Sequence, residues 1–198
     1  MLQYDDINHH YWDEKGDLPG ISKILEPIND IDSIPKDVLE NAANRGTKIH
    51  KLTEKYDIGI ITKEDLLKSE YQSYMEQYLQ FLKDTKVEWW AIERKLMHPE
   101  LRFGGRLDRI GFINGKTYLI DIKTASESQD WWVVQLEAQR ILASQIIKID
   151  CVRSLHLNTN GKYKLIKYKE EEGAEAREVF IGLLKVCHWG LKHGKRSY

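Results

Sequence analysis

Residues 105–124 read GRLDRIGFINGKTYLIDIKT, two strand-like runs joined by Asn114-Gly115. Asparagine followed by glycine is the strongest short-range signal of a two-residue hairpin turn. In that register Asp108 lies opposite Asp121 with Cβ atoms roughly 5 Å apart, and Lys123 shares the face of Asp121. Two opposed carboxylates repel each other, so the hairpin predicts a cation between them. A divalent metal with oxygen ligands is the clearest candidate.

The same hairpin has a simpler interpretation as a surface charge ladder. Arg106 is expected opposite Lys123, and Arg109 follows Asp108, so these charges could neutralise one another on a solvated face. Against this, Asp121 interrupts an otherwise apolar run that is typical of a buried strand. Aspartate is a poor strand former, so its presence there favours a functional role.

Composition and charge exclude several classes of protein. Of the 198 residues, 41% are hydrophobic and 31% charged, as in soluble globular proteins. The formal net charge of −1 means that nucleic-acid binding requires a local basic surface. Two distant cysteines, Cys151 and Cys187, exclude a four-cysteine zinc or iron–sulfur site and indicate a reducing compartment. With no signal-peptide pattern and no apolar run of transmembrane length, we expect a cytoplasmic protein without a membrane partner.

Periodicity and turn signals predict the order of elements around the hairpin. We expect helices over 36–56, 66–82, 131–147 and 173–193, and strands over 87–97, 151–157 and 163–168, with a second turn at Asn160-Gly161. Residues 1–35 read as irregular, apart from a short helix capped by Ser22. The pattern predicts one α/β (α+β) domain over residues 1–198, with a core over 36–170 and a central mixed β-sheet flanked by helices.

Five segments together resemble the RecB-like branch of the PD-(D/E)XK nuclease superfamily. They are Gly105–Asp108, Ile120–Thr124, Gln135-Leu136, the upstream helix element Arg45–His50, and the N-terminal Leu18–Leu25. They occur in the expected order over roughly residues 18–145. The resemblance implies a restriction-endonuclease-like core and a metal-dependent nuclease. Members related to CRISPR adaptation carry four cysteines for an iron–sulfur cluster, and none is inferred here.

The resemblance also implies a metal-ligand set. His50, Asp108, Asp121 and the backbone carbonyl of Ile122 would bind Mg²⁺ or Mn²⁺, a preference that agrees with their oxygen and imidazole donors. Lys123 would position or deprotonate the attacking water, or stabilise the transition state; the sequence leaves this open. Taken alone, His50 is more typical of a structural helix histidine.

Two further residues are assigned to catalysis by the same resemblance. Glu93 precedes the first aspartate and would assist a second metal or a water; the alternative is an ion pair with Arg94 or Lys95. Gln135 would contact DNA or the active-site water, whereas a solvated polar position is the alternative. Gln139 stands where the family often has tyrosine, which puts this helix's substrate contact in question.

Candidate nucleic-acid contacts are the basic residues near the predicted cleft together with the glutamine. They are Arg45, Lys48, Arg106, Arg109 and Gln135. The basic tail over residues 192–196 is either a further contact or a solvated end. Trp131 and Trp132 could stack on bases, but paired tryptophans near a helix start are more often core or rim residues.

The expected function is a metal-dependent deoxyribonuclease, an exonuclease in recombination, repair or phage DNA processing. The expected partner is DNA, with a single-strand annealing protein or a helicase as an additional partner. A toroidal homo-oligomer, as in lambda-type exonucleases, would suit processivity. The alternatives are a structure- or site-specific endonuclease with the same centre, and a catalytically inactive nuclease-fold module that binds DNA or protein.

Overall fold

A five-stranded mixed sheet organises the chain, and the computed structural model describes residues 3–5, 10–29, 34–125, 128–159 and 161–194. The strands are β1 (Gln3–Asp5), β2 (His10–Asp13), β3 (Gly16–Leu18), β4 (Glu88–His98), β5 (Phe103–Ile113), β6 (Lys116–Lys123), β7 (Cys151–His156) and β8 (Lys164–Lys167). The helices are α1 (Ile21–Ile24), α2 (Lys36–Asp57), α3 (Lys63–Leu67), α4 (Gln72–Thr85), α5 (Trp132–Ala143) and α6 (Glu170–Lys192), with one 3₁₀ turn over Glu26–Ile28.

The central sheet has the strand order β4-β5-β6-β7-β8. Neighbouring strands are antiparallel except β6 and β7, which are parallel and connected through helix α5. A parallel pair needs such a crossover because its strands begin at the same edge of the sheet. The predicted central mixed sheet flanked by helices is confirmed.

Helices cover both faces of this sheet. One apolar cluster joins Ile110 and Leu119 to helices α1, α5 and α6. The other joins Ile120 and Ile122 to helices α2, α3 and α4. Since successive strand residues face opposite sides, β6 contributes to both clusters, which explains its nearly continuous apolar sequence.

The hairpin forms where it was predicted, but its two strands separate early. Asn114 and Gly115 have φ angles of 49° and 75°, and Ile113 pairs with Lys116 as the Asn-Gly turn requires. The ladder stops at the pair Arg109 and Ile120. The predicted register is therefore confirmed up to that pair, but the predicted pairing of Asp108 with Asp121 and of Arg106 with Lys123 was wrong because the ladder ends first. Beyond the last pair the edge of β6 is free for other contacts.

The predicted helix over 66–82 is two helices, α3 and α4. Helix α3 begins at a capping box in which Thr62 and Asp65 bond to each other's backbone N–H. It ends after Leu67, and the Ser69 hydroxyl donates to the Leu66 carbonyl. That bond gives the chain a local alternative to continuing the helix. Both helices nevertheless pack on the same face of the sheet, through Leu66 of α3 and through Met75, Tyr78 and Phe81 of α4.

The N-terminal segment is more regular than predicted. Strands β1, β2 and β3 form a small antiparallel sheet, and the short helix α1 begins after Gly20, with no side-chain cap from Ser22. Asn160 of the second predicted turn and residues 195–196 of the basic tail lie outside the described residues. No helix in the described ranges is both long enough and apolar enough to cross a bilayer.

Candidate metal centre and active site

Three side chains from three elements converge at the point where β5 and β6 separate. His50 comes from α2, Glu93 from β4 and Asp108 from β5, and one donor atom of each lies within 4.8 Å of the others. The backbone of Ile122 on β6 completes the cluster, because its carbonyl oxygen lies 3.1 Å from His50 Nε2. These four contributors come from segments far apart in sequence, so the fold assembles them.

Strand separation explains why Ile122 takes part. A buried backbone group without a ladder partner must bond elsewhere. The Ile122 N–H donates to Asp108 Oδ2 at 2.9 Å, and the carbonyl accepts from His50 Nε2. The hairpin therefore supplies backbone groups to the cluster as well as a carboxylate.

His50 is surrounded by acceptors on both ring nitrogens. Nδ1 lies 3.3 Å from Glu93 Oε1 and 3.6 Å from Asp108 Oδ2, while Nε2 faces the Ile122 carbonyl. Only an imidazolium can donate from both nitrogens. Burial lowers the pKa of His50, but the Asp108 and Glu93 carboxylates outweigh this effect and raise it to about 9. The cluster thus holds a positive charge at its centre.

Glu93 reaches the cluster through an unusual backbone conformation. Its φ angle is 48°, in the left-handed region that non-glycine residues rarely adopt, within a strand that also has a bulge between Trp89 and Ala91. Such strain gathers at functional sites because surrounding contacts must hold it. Here Arg106 Nε lies 3.1 Å from one carboxylate oxygen, and Arg109 Nη1 lies 2.8 Å from the other.

The two carboxylates of the cluster differ in their electrostatics. Burial raises the pKa of Glu93, but His50 and the two arginines reverse the shift and lower it. Burial also raises the pKa of Asp108, and with Asp121 and Glu93 adding to it against His50, the value is about 6. Burial and the neighbouring carboxylates therefore disfavour the ionised form of Asp108, and a bound cation would favour it.

A second polar cluster lies beside the first. Lys123 Nζ is 2.6 Å from Asp121 Oδ2 and donates to Gln135 Oε1 at 2.7 Å. Asp121 Oδ1 accepts from Gln139 Nε2 at 3.1 Å and from Gln135 at 3.4 Å. In this arrangement Asp121 lies with the lysine and the two glutamines, outside the group of three ligands. Its role as a metal ligand stays a prediction.

The two tryptophans at the start of α5 lie around Lys123. The lysine ammonium is 5.8 Å from the Trp131 ring centre and 5.0 Å from that of Trp132. Trp132 is buried and also contacts His156 on β7, with ring centres 5.2 Å apart. Trp132 is therefore part of the packed wall of the site, as expected for a core or rim residue.

The candidate nucleic-acid contacts differ in their burial and in the residues that they contact. The guanidinium of Arg109 has no exposed surface, since it bonds to Asp57, Glu93, Thr53 and its own strand. The assignment of Arg109 to a phosphate contact was wrong, because a buried guanidinium cannot reach the phosphates of a DNA strand in solvent. The other candidates are placed as follows: Arg106 at Glu93, Gln135 at Lys123, Lys48 exposed with its ammonium 2.9 Å from Glu70, and Arg45 half-buried on α2.

Four residues of the site were missed or left undecided by the sequence. Asp57 anchors Arg109 at 2.8 Å, and Tyr78 donates to the same Asp57 carboxylate at 2.6 Å. No local sequence pattern predicted this buried network. Gln139 did have a signal, because it lies four residues after Gln135 and so on the same helical face. Glu93 pairs with neither Arg94 nor Lys95 in the described structure.

The donor set fits a hard divalent cation. One imidazole and two carboxylates are ligands that Mg²⁺ and Mn²⁺ accept, and the imidazole favours Mn²⁺ slightly. The imidazolium of His50 stands between acceptors that otherwise repel one another, so a cation could replace its proton. His50, Glu93 and Asp108 are thus the residues able to hold a metal, whereas the Ile122 carbonyl faces the other ring nitrogen of His50 and stays a predicted ligand.

Comparison with known proteins supports the fold. No protein-family model matches the chain, and no curated protein matches it. Among solved structures it is similar to the crystal structure of a "Putative exonuclease" from Eubacterium rectale, with a TM-score of 0.55, 10% identity, and coverage of 91% of this chain and 83% of that one. A second crystal structure, that of SSO0001, has a TM-score of only 0.33 and 14% identity over 74% of this chain and 70% of that chain. The chain therefore has a nuclease-like fold.

Proposed function

We propose that the chain is a divalent-metal-dependent DNA nuclease of the RecB-like branch of the PD-(D/E)XK superfamily. The observation that carries the proposal is the convergence of His50, Glu93 and Asp108 beside the paired Asp121 and Lys123. A structural charge ladder would not explain a strained Glu93 backbone or a histidine with acceptors on both nitrogens.

Each cluster has a distinct task in this proposal. His50, Glu93 and Asp108 would hold the metal, with the Ile122 carbonyl as a further predicted ligand. A bound Mg²⁺ or Mn²⁺ would supply a Lewis acid that lowers the pKa of a water and polarises a phosphoryl oxygen. Lys123 Nζ donates to Gln135 Oε1 and forms an ion pair with Asp121, and its remaining N–H donors can contact a phosphate. We assign it to stabilising charge on the phosphate rather than to removing a proton.

The glutamines of α5 act through Asp121. Gln135 and Gln139 both donate to Asp121 Oδ1, while Lys123 occupies Oδ2. These bonds fix the carboxylate at the border of the metal cluster, where it can orient a water or become a further ligand. Gln139 thus takes a positioning role where the family often has tyrosine, and Gln135 remains the residue assigned to the substrate.

The proposed substrate is DNA, and the proposed mode is exonucleolytic, in recombination, repair or phage DNA processing. The structural similarity to a "Putative exonuclease" supports this mode over a site-specific endonuclease. A homo-oligomer, or a helicase or annealing protein as partner, would supply processivity. We treat residues 1–198 as one catalytic domain.

The test is degradation of end-labelled linear duplex and single-stranded DNA in Mg²⁺, Mn²⁺ or EDTA. We expect cleavage in either metal, none in EDTA, and a loss of about 100-fold or more in Asp108→Asn, as for removal of a group that supports transition-state charge. Glu88→Gln, an exposed carboxylate on the same strand as Glu93, is the matched control and should cleave normally.

Closed circular DNA separates the two nuclease modes. An exonuclease leaves it intact while degrading the linear form, whereas an endonuclease converts it to linear products. Cleavage that persists in EDTA, or that is equal in Asp108→Asn and wild type, would contradict the proposal. Binding of DNA without cleavage in any metal would identify a catalytically inactive module.

A further inference from the structure

A second concave surface lies between α2 and the turn that joins α3 to α4. It encloses about 340 Å³ and is lined by three lysines, an apolar wall of Leu52 and Tyr71, and Ser69 with Glu70. This volume falls at the lower end of the roughly 300–1,000 Å³ that small-molecule sites occupy. We call this surface the lysine groove; its lysines are Lys48, Lys51 and Lys55.

The lysine groove is distinct from the metal cluster although both involve α2. Successive helix residues are about 100° apart, so Lys48, Lys51 and Lys55 lie roughly 100–160° around the helix from His50. Ile49 is fully buried on the side of the sheet. An α-helix with side chains is only about 10–12 Å wide, so one extended ligand can contact both sites.

The charges of the groove are not balanced. Lys48 pairs with Glu70 at 2.9 Å, and its ammonium lies 5.8 Å from the Tyr71 ring centre. Within the part of the chain that the structure describes, Lys51 and Lys55 have no ion-pair partner. Like charges four residues apart destabilise a helix by a few tenths of a kcal/mol. The groove therefore presents two unneutralised positive charges next to an apolar wall.

This combination of features matches a nucleotide within a strand. Ammonium groups bind backbone phosphates, and an aromatic ring offers a surface for a base without regard to its identity. An acidic peptide would use the lysines but would leave Tyr71 and Leu52 without a matching flat group. The chemistry of the groove thus favours a single nucleic-acid strand over an acidic protein.

We infer that the lysine groove binds a single-stranded segment of nucleic acid, with phosphates at Lys51 and Lys55 and a base against Tyr71. The inference rests on the proposed nuclease function for the choice of ligand. Through this contact, α2 holds the strand on one side and offers His50 to the metal on the other.

The test measures binding of a fluorescein-labelled twelve-residue oligothymidylate in EDTA, where cleavage does not interfere. We expect Lys51→Gln with Lys55→Gln to weaken binding about 10-fold at low salt. The slope of log K against log salt should fall by about 1.4, because each phosphate contact on a single strand contributes about 0.7. Lys83→Gln with Lys185→Gln removes the same charge from exposed positions elsewhere and should leave the slope unchanged.

The aromatic contact has its own pair of variants. Tyr71→Leu should weaken binding about 5-fold or more at an unchanged salt slope, since stacking is worth about 1–3 kcal/mol per base, while Tyr71→Phe should bind as wild type. Equal affinity and slope in the groove variant and in the Lys83/Lys185 control would overturn the inference. Groove-dependent binding by a protein that cleaves no DNA in Mg²⁺ or Mn²⁺ would support the groove and refute the nuclease. Cleavage of DNA together with no effect of the groove variants on binding would support the nuclease and refute the groove.

Discussion

Lys123 lies beside the candidate metal ligands but is not one of them. Its ammonium contacts Asp121 and Gln135 and lies over two tryptophan rings, but it is not among the groups that could hold the metal. In the proposed nuclease, a lysine in this position would stabilise charge on the reacting phosphate. Its removal should affect the rate without affecting metal affinity.

Lys123→Met tests that separation. We expect the rate of DNA cleavage to fall by about 100-fold or more, as for the loss of a preorganised charge donor, while Mn²⁺ affinity stays within about 2-fold of wild type. Lys116→Met, at the exposed other end of the same strand, is the control. Equal cleavage by the two variants would show that Lys123 has no part in the reaction.

Protonation of His50 makes the stability of the metal-free protein depend on pH. Its pKa of about 9 lies above the unfolded value near 6.5, so the stability it contributes is complete below about pH 6.5 and is lost as the pH rises through about 9. In EDTA we expect the melting temperature of wild type to fall between pH 7 and 9.5. His50→Gln should show a flatter profile over that window. Parallel profiles would mean that His50 is not held protonated by Glu93 and Asp108.

At the scale of elements, a buried charge network joins α2, β4 and β5. Arg109 is fully buried and bridges Asp57 of α2 to Glu93 of β4, with Thr53 as a further acceptor. Breaking one partner of a buried ion pair is costly because it leaves an unpaired charge in a medium that solvates it poorly. The network therefore holds the Glu93 carboxylate, and the loss of one partner is expected to destabilise the fold.

Arg109→Met should reduce the free energy of unfolding by about 3–5 kcal/mol, the range for removing one partner of a buried pair. Urea denaturation in EDTA gives the measurement without a contribution from metal binding. Arg94→Met, an exposed arginine on β4, should change stability by less than about 0.5 kcal/mol. A loss below about 1 kcal/mol in Arg109→Met would show that the network does not hold these elements together.

Local sequence signals predicted the helices and strands but not the point where β5 and β6 separate. The Asn114-Gly115 turn was enough to give the hairpin, since its conformation is encoded by two residues. The end of the ladder after Arg109 and Ile120 is set by long-range packing, so the direct pairing of Asp108 with Asp121 was wrong. For the same reason, the partners of Glu93 came from β5 and α2 rather than from its sequence neighbours.

At the scale of the whole molecule, the two apolar clusters share the central sheet. Strands β5 and β6 contribute residues to both, so we expect the two faces to unfold together. We therefore propose that the chain unfolds as one domain. The site lies where α2, the sheet and α5 meet, and it depends on both faces being in place.

One cooperative transition is the expected result in urea. Tryptophan fluorescence and far-UV circular dichroism should give coincident midpoints, because a two-state unit unfolds as a whole. Midpoints that differ beyond experimental error would contradict the single-domain proposal. Addition of Mn²⁺ should raise both midpoints together, since a ligand of the native state stabilises the whole unit.

The proposed metal centre can be tested directly by titrating Mn²⁺ and following the free ion by electron paramagnetic resonance. The account predicts saturable binding by wild type and by Glu88→Gln, and a loss of at least about 10-fold in affinity in Glu93→Gln and in Asp108→Asn. If wild type bound no Mn²⁺, or if both ligand variants bound it as tightly as Glu88→Gln, then His50, Glu93 and Asp108 would not form the metal centre.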